Sequence, residues 1–375
     1  MRPAFSGFLS FALLLSSYLA AAPANGEDII GFKPHPYPIA ISFSAQSAAG
    51  TLIFDSGLSE TPSYDYDTVL IQGEMPDQNL GLEILIQAKN QPSGFEKAGL
   101  LALKRFSNGR FWAKYLAPQR TRQPLKITVT DLGLKSAGKL VIYEVELSNV
   151  ERLKEIKETV GFNAGPAFPQ EEVFTFKITR RAGWSSLPPK EAYTAHAPVM
   201  FTLHHTAGHS PGNYAEALGE MQFLQDYHQN AKGWNDIGYH FLISPQGDIF
   251  EGRPETVVGA HVKGRNTNNV GISIMGNYHI EPSTNITTAD SITPEIVSSI
   301  AAVGAYLKEK YSVPANSFYA HRDITRTACP GDGLYARMPE FRSLIFPPAA
   351  GVTPELKLRD WITGPLENPA EIQFQ

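Results

Sequence analysis

The sequence predicts an α/β domain, a central mixed β-sheet flanked by helices, preceded by a smaller all-β, sandwich-like domain. Three observations lead there. The chain has 375 residues, more than one average domain needs. Residues 60–148 carry short runs of period-two alternation broken by Gly, Pro and Asn, the pattern of antiparallel strands. From 176 to 345, apolar strand runs are interleaved with helical periodicity, which indicates a layered α/β arrangement.

The amino-terminal residues 1–26 read as an export signal: Arg2, the apolar run Phe8 to Leu15, then small residues from Ala20 to Gly26. The run is too short to span a bilayer. The expected protein is therefore exported, periplasmic or secreted, with no membrane span after signal cleavage. It is expected to be a monomer. Composition is ordinary for a globular chain, with 42% hydrophobic and 18% charged residues. A net charge of −5 without a basic stripe excludes a nucleic-acid partner.

Residues 27–150 form the expected β-rich accessory domain. Leu125, Ile127 and Val129 share one face of a strand, as do Leu82, Ile84 and Ile86. Phe111, Ala113 and Tyr115 alternate with Trp112, Lys114 and Leu116. Val141, Tyr143, Val145 and Leu147 share a face opposite Ile142, Glu144 and Glu146. No chemical motif stands in this stretch. Residues 151–175 read as a linker, with Gly161-Phe162-Asn163-Ala164-Gly165-Pro166 at its centre. This predicts that residues 171–375 fold and act without the β-rich part, the alternative being that the β-rich part packs tightly on the α/β domain and completes its core or groove. A Pro-containing tail covers 346–375.

Within 176–345, Pro198 to Thr206 is a buried-strand run. A helix follows, with Asn213 and Glu216 at capping-box spacing and Leu218, Met221 and Leu224 on one face. Tyr239 to Ser244 and Asp248 to Glu251 form a hairpin, and Val270 to Met275 another buried strand. Thr293-Pro294-Glu295 opens a helix with Ile296, Ile300, Val303 and Leu307 inside. Ser317 to Ala320 is a strand leading into His321.

Polar residues at strand ends mark sites. His204-His205 ends one strand, His321 another, and Cys329 follows eight residues later. It is the one cysteine of the chain, so no internal disulfide forms. Two imidazoles and a thiolate suit zinc, and three protein ligands leave a position for water. A ligated cysteine also survives export as a thiolate, whereas a plain buried thiol is the alternative.

Four stretches carry a family resemblance: FTLHHTAG at 201–208, GWNDIGYHFLISPQGDIFEGRP at 233–254, VVGAHVKGRNTNNVGISIMGN at 257–277 and AHRDITRTACPGD at 320–332. Together with Arg181-Ala182-Gly183-Trp184 they resemble the peptidoglycan recognition proteins and phage-lysozyme-type N-acetylmuramoyl-L-alanine amidases, a zinc amidase type 2 domain. The resemblance spans about 165 residues and leaves 27–150 uncovered. It implies an amidase domain over 176–345, with Zn2+ on His204, His321 and Cys329, and peptidoglycan or muropeptides as partner. The choice of His204 over His205 rests on the resemblance alone.

The resemblance implies hydrolysis of the amide between N-acetylmuramic acid and L-alanine, the alternative being a peptidoglycan-binding recognition protein without catalysis. Tyr239 matches a catalytic tyrosine. Thr327 stands where some phage enzymes carry lysine and many recognition proteins threonine, and is the second catalytic candidate. His261, Trp234 and Arg253 fall in groove-lining segments and are the substrate-binding candidates. Trp234 is either core or sugar-stacking; Arg253 either holds a stem-peptide carboxylate or pairs with Glu251. Arg322 and Asp323 are either a pair orienting His321 or a surface ion pair.

Overall fold

The structure is a computed structural model and describes residues 29–45, 48–149, 174–280 and 289–348. The expected export signal, nearly all of the linker, and the tail beyond 348 lie outside the described residues. Among the described residues, no helix is long and apolar enough to cross a membrane.

Nine strands precede the linker: β1 (Ile39–Phe43), β2 (Leu52–Asp55), β3 (Tyr66–Glu74), β4 (Leu80–Ala88), β5 (Gln91–Lys97), β6 (Gly99–Arg105), β7 (Arg110–Thr121), β8 (Leu125–Asp131) and β9 (Gly138–Ser148). They form a five-stranded sheet, β1-β9-β3-β7-β6, and a four-stranded sheet, β2-β8-β4-β5. Their facing sides share one core in which Ile71, Ile84, Phe111, Ala113, Leu125, Ile127 and Ile142 are fully buried.

Strand β9 departs from strict alternation. Its register with β3 steps from Glu144 opposite Gln72 to Ile142 opposite Gly73, which makes Tyr143 the extra residue of a bulge. Ile142, Val145 and Leu147 consequently all enter the core. The expected face of Val141, Tyr143, Val145 and Leu147 is thus corrected: the bulge flips the pattern at Tyr143. Gly73 permits it, because a Cβ there would stand 2.0 Å from the Val141 carbonyl oxygen.

After the linker, a second five-stranded sheet has the order β12-β11-β13-β10-β14. It is built from β10 (Met200–His205), β11 (Phe241–Ile243), β12 (Ile249–Glu251), β13 (Asn269–Ile274) and β14 (Phe318–Ala320). β10 runs parallel to β13 and β14, and β11 parallel to β13, while β12 closes the edge antiparallel, so the sheet is mixed. Helix α1 (Tyr214–Asp226) starts at Asn213, whose Oδ1 accepts from the Glu216 N–H at 3.0 Å. Helix α2 (Pro294–Tyr311) starts at Thr293, whose Oγ1 accepts from the Ile296 N–H at 3.2 Å, with proline at its first position. Short helices α3 (His321–Ile324) and α4 (Asp332–Ala336) lead to α5 (Met338–Ile345). One sheet face packs Phe201, Leu203 and Ile272 against Ile296, Ile300 and Phe341 of α2 and α5. The other lies against α1.

The far side of α1 is covered by the amino-terminal sheets. Leu70 and Trp112, on the outer face of the five-stranded sheet, join one core with Met221, Phe223, Leu224 and Tyr227. Arg110 and Glu220 form an ion pair with both side chains fully buried. Arg110 donates from Nε to Glu220 Oε2 at 2.9 Å, from Nη2 to Glu220 Oε1 at 3.3 Å and to Gln72 Oε1 at 2.6 Å, and from Nη1 to the Gly73 carbonyl at 2.8 Å. Its guanidinium lies 3.8 Å from the Phe223 ring centroid. Trp112 Nε1 donates to Asp226 at 2.8 Å, and Lys114 to the Ala231 carbonyl at 3.0 Å.

Where the sequence reads two independent parts, the structure has a buried interface between them. The alternating pattern shows that a strand has two faces, but not that the second is buried by a helix more than 100 residues away. Removing one member of a buried pair leaves an uncompensated charge, which costs about 3–5 kcal/mol. Arg110→Ala is expected to lose stability on that scale in urea unfolding, and Arg110→Met combined with Glu220→Leu to recover most of it. Equal loss in the single and double variants would show that the pair does not hold the two parts together.

Candidate metal centre and its cleft

The three expected ligands come from two neighbouring parallel strands and one loop. His204 is next to last in β10, and His321 directly follows β14, the strand beside it. Both lie at the carboxyl ends of the strands, where α/β sheets place their sites. Cys329 returns to the same point through a loop tied back by Arg322, whose N–H donates to the Cys329 carbonyl at 3.0 Å. The side chain of Arg322 donates to Asp332 at 2.8 Å and to the Ala328 carbonyl.

One ligand atom from each of His204, His321 and Cys329 lies within 4.8 Å of the others. His204 Nδ1 is 3.5 Å from Cys329 Sγ. Tetrahedral zinc with bonds of about 2.0–2.3 Å separates its ligand atoms by roughly 3.3–3.8 Å; the His204–Cys329 separation falls in that range, and 4.8 Å bounds the others. Of the adjacent histidines, His204 belongs to this group. His205 points to the opposite face and accepts from the Tyr278 N–H at 3.2 Å on Nδ1.

Hydrogen bonds determine which nitrogen of His204 faces the cluster. His261 Nε2 lies 3.1 Å from the Asn269 carbonyl oxygen, which can only accept, so Nε2 carries the proton. His261 Nδ1 is then an acceptor and takes the Nε2–H of His204 at 3.0 Å. The lone pair on His204 Nδ1 is left facing Cys329. This arrangement fixes tautomer and ring orientation, as metal-binding histidines commonly require. Gly271 makes room for it, since a Cβ there would meet the His261 ring at 2.7 Å.

Burial keeps the imidazoles neutral: it lowers His204 well below the ordinary histidine value, helped by the neighbouring His321 and His261, and brings His321 down to about 4. Burial also pushes the Cys329 thiol up to about 12, against the lowering effects of the His205 backbone and Arg322. Two neutral imidazoles and a sulfur, with no carboxylate among them, fit a zinc donor set.

The remaining expected residues divide. The Tyr239 ring is half-buried, 5.4 Å from the His204 ring between centroids. Burial raises its phenol above the ordinary value, with Cys329 and Glu144 adding to the shift, so it stays an O–H donor at neutral pH. Thr327 Oγ1 accepts from the Cys329 N–H at 3.2 Å and so shapes the turn, while its own hydroxyl proton is not used in that bond. Trp234 stacks on His228 at 4.7 Å with Lys232 above it at 5.0 Å.

His261 and Arg253 are corrected. Both ring nitrogens of His261 are engaged as described, so it stands behind His204 and is no groove donor. Arg253 is buried and spends its donors on the carbonyls of Ile237 (2.7 Å), Val258 (2.8 Å) and Asp236 (3.2 Å), which makes it a staple of the surrounding loops. Among the described residues it makes no ion pair with Glu251. Arg322 and Asp323 do not pair with each other: Asp323 accepts from the Ala320 N–H at 2.9 Å and from the Tyr335 hydroxyl at 3.0 Å.

Comparison with known proteins bears on the same residues. The family model described as N-acetylmuramoyl-L-alanine amidase, Amidase_2, matches residues 194–332, which contain all three candidate ligands. Peptidoglycan-recognition protein SC2 of Drosophila melanogaster is 36% identical over 135 residues, covering 36% of this chain and 68% of that protein. The chain belongs to this family. The human N-acetylmuramoyl-L-alanine amidase is 31% identical over 202 residues, covering 52% of this chain and 34% of that protein. Among solved structures, Drosophila PGRP-LB aligns at 27% identity with a TM-score of 0.38, covering 43% of this chain and 92% of that one.

Sequence reasoning missed the sheets' contribution to this family domain. His209, in the loop after β10, has Nδ1 2.6 Å from Glu74 Oε1 on β3. Burial is the largest single influence on His209 and would lower it, but the hydrogen bond to Glu74 together with the charges of Glu220 and Glu74 raises the imidazole above its ordinary value. Burial would likewise raise Glu74, but hydrogen bonds from His209 and Tyr143 bring it down to about 2. The histidine stabilises the fold fully below its unfolded value of 6.5 and ceases to as pH rises through its raised folded value; the carboxylate contributes above 4.5 and ceases as pH falls towards 2. The stability difference between the native protein and His209→Gln is thus expected to be largest between pH 4.5 and 6.5 and to shrink above that window. A difference that grows from pH 6.5 to 9 in chemical unfolding would contradict the pairing.

Proposed function

We propose that the protein is a zinc-dependent amidase that hydrolyses the bond between N-acetylmuramic acid and L-alanine in peptidoglycan. The observation that carries this reading is the approach of His204, His321 and Cys329 to within 4.8 Å, at the carboxyl ends of adjacent parallel strands, inside the segment matched by the amidase family. Family membership alone includes recognition proteins; an intact set of three ligand side chains favours the enzyme.

Zinc, when bound, would supply Lewis acidity towards the amide carbonyl and towards an attacking water. The chain's own residues do the rest. His261 holds His204 in the tautomer that turns its Nδ1 lone pair to the cluster. Tyr239 keeps its proton and stands beside His204, where its O–H can donate to the oxygen on which negative charge develops. Thr327 adds a second hydroxyl from the Cys329 turn, without charge. The half-buried ring of Trp234, stacked on His228, is the groove surface for substrate.

The test is incubation of the purified protein with muropeptides, with and without a chelator, and mass analysis of the products. Release of free stem peptide beginning with L-alanine, abolished by the chelator and restored by zinc, is expected; intact muropeptide, or a cut inside the stem, would remove the reading. Tyr239→Phe is expected to keep its zinc and lower kcat by on the order of 10²–10³ with little change in KM, because the donor acts on charge present only in the transition state. An unchanged kcat would make Tyr239 a packing residue.

A further inference from the structure

The amino-terminal sheets reach the segments that carry two of the candidate ligands. A small cleft of about 30 Å³ lies between them and the carboxyl end of the central sheet. Tyr37, Tyr143 and Glu144 line one side, and His205, Asn277 and Ala328 line the other. Ala328 is bonded to Cys329 and His205 to His204, so the cleft opens one residue from two of the three candidate ligands. The β9 bulge explains how two consecutive side chains, Tyr143 and Glu144, enter one cleft: a regular strand would turn them to opposite faces.

Of the acids that this sheet turns towards the helices, two have cationic partners: Glu74 meets His209, and Glu146 meets Lys232. Glu144 differs. It is 8% exposed, and its one hydrogen bond among the described residues comes from the Tyr227 hydroxyl at 3.2 Å. A carboxylate offers about four acceptor positions, so most of its capacity is unspent. Setting an acid in a cleft without a cation carries a cost that a ligand donor would offset. Its field reaches the site, since Glu144 acts on Tyr239. No lysine or arginine lines the cleft, and its one further histidine beside His205, His279, lies 2.9 Å from Asp332. Its volume admits a group the size of a water or an ammonium.

We propose that Glu144 is a substrate-binding residue contributed by the amino-terminal sheets, and that it receives the nitrogen of the first stem-peptide residue: the amide N–H before cleavage and the α-ammonium after it. This rests on the amidase reading for the identity of the ligand. Hydrolysis of an amide yields a carboxylate and an amine, and the amine is a cation at neutral pH, which is the one charge type this cleft is built to accept. The sheets are then part of the site.

The experiment measures equilibrium binding of two peptides to the zinc-loaded protein: a stem peptide beginning with L-alanine with a free amino terminus, and the same peptide N-acetylated. Both peptides can donate one N–H to Glu144, but only the free amine adds a positive charge and further donors; one additional hydrogen bond to a charged group contributes about 1.5–3 kcal/mol, so the free amine is expected to bind about tenfold tighter or more. Glu144→Gln, with zinc content and thermal midpoint checked, is expected to bring the ratio close to one. Tyr227→Phe removes the hydroxyl that Glu144 accepts from but keeps the carboxylate, and is expected to preserve the preference. A ratio unchanged in Glu144→Gln overturns the proposal, as does an equal loss in both variants, which would mark Glu144 as a packing residue. If muropeptides are not cleaved yet the amine preference depends on Glu144, the amidase reading fails and the site stands; if they are cleaved and Glu144→Gln has no effect on the ratio, the reverse holds.

Discussion

The buried pair of Arg110 and Glu220 ties the two halves of this chain together. An arginine inside a sheet is costly unless its donors are used, and here Glu220, Gln72 and the Gly73 carbonyl take them. Glu220 is on α1, the helix that follows the His204 strand. The pair therefore fixes the helix against the sheet, and with it the loop carrying His209. The same sheet presents Glu74, Glu144 and Glu146 to His209, Tyr227 and Lys232. A salt bridge of this kind adds little net stability over a hydrophobic pair. The planar fork of Arg110 gathers Glu220 of α1 with Gln72 and the Gly73 carbonyl of the sheet on one guanidinium.

The second constraint is the line of hydrogen bonds running from the Asn269 carbonyl through His261 to His204. The carbonyl can only accept, and that single fact propagates through two rings to decide which nitrogen faces His321 and Cys329. Thr202 strengthens the anchor by donating to Asn269 Oδ1 at 2.9 Å. The cluster is thus oriented from behind by backbone, and the Tyr239 ring stands beside it.

Much of this was legible in the sequence, and the reasons for success and failure are physical. Strand and helix positions followed from period: Leu125, Ile127 and Val129 are buried on one face, and Asn213 caps α1 through Glu216 as their spacing requires. The cluster residues stood out because a lone cysteine eight residues from a strand-end histidine is a chemical oddity. His261 and Arg253 misled because segment membership says nothing about which way a side chain points; both turn inward to carbonyls. Tyr143 misled because a bulge has no signature in alternation. Glu144 and Arg110 gave no signal, since their meaning lies in partners 83 and 110 residues away. Local pattern carries faces and caps; it does not carry contacts between surfaces.

The central claim is that one metal sits among His204, His321 and Cys329, walled on one side by the amino-terminal sheets. Crystals of the zinc-loaded protein, with diffraction recorded on both sides of the zinc absorption edge, test it most directly. The account predicts a single anomalous peak bonded to His204 Nδ1, a His321 ring nitrogen and Cys329 Sγ, with the Glu144 carboxylate lining the adjoining cleft. A peak bonded to His205 in place of His204, no peak at this cluster, or amino-terminal sheets detached from α1 would contradict it.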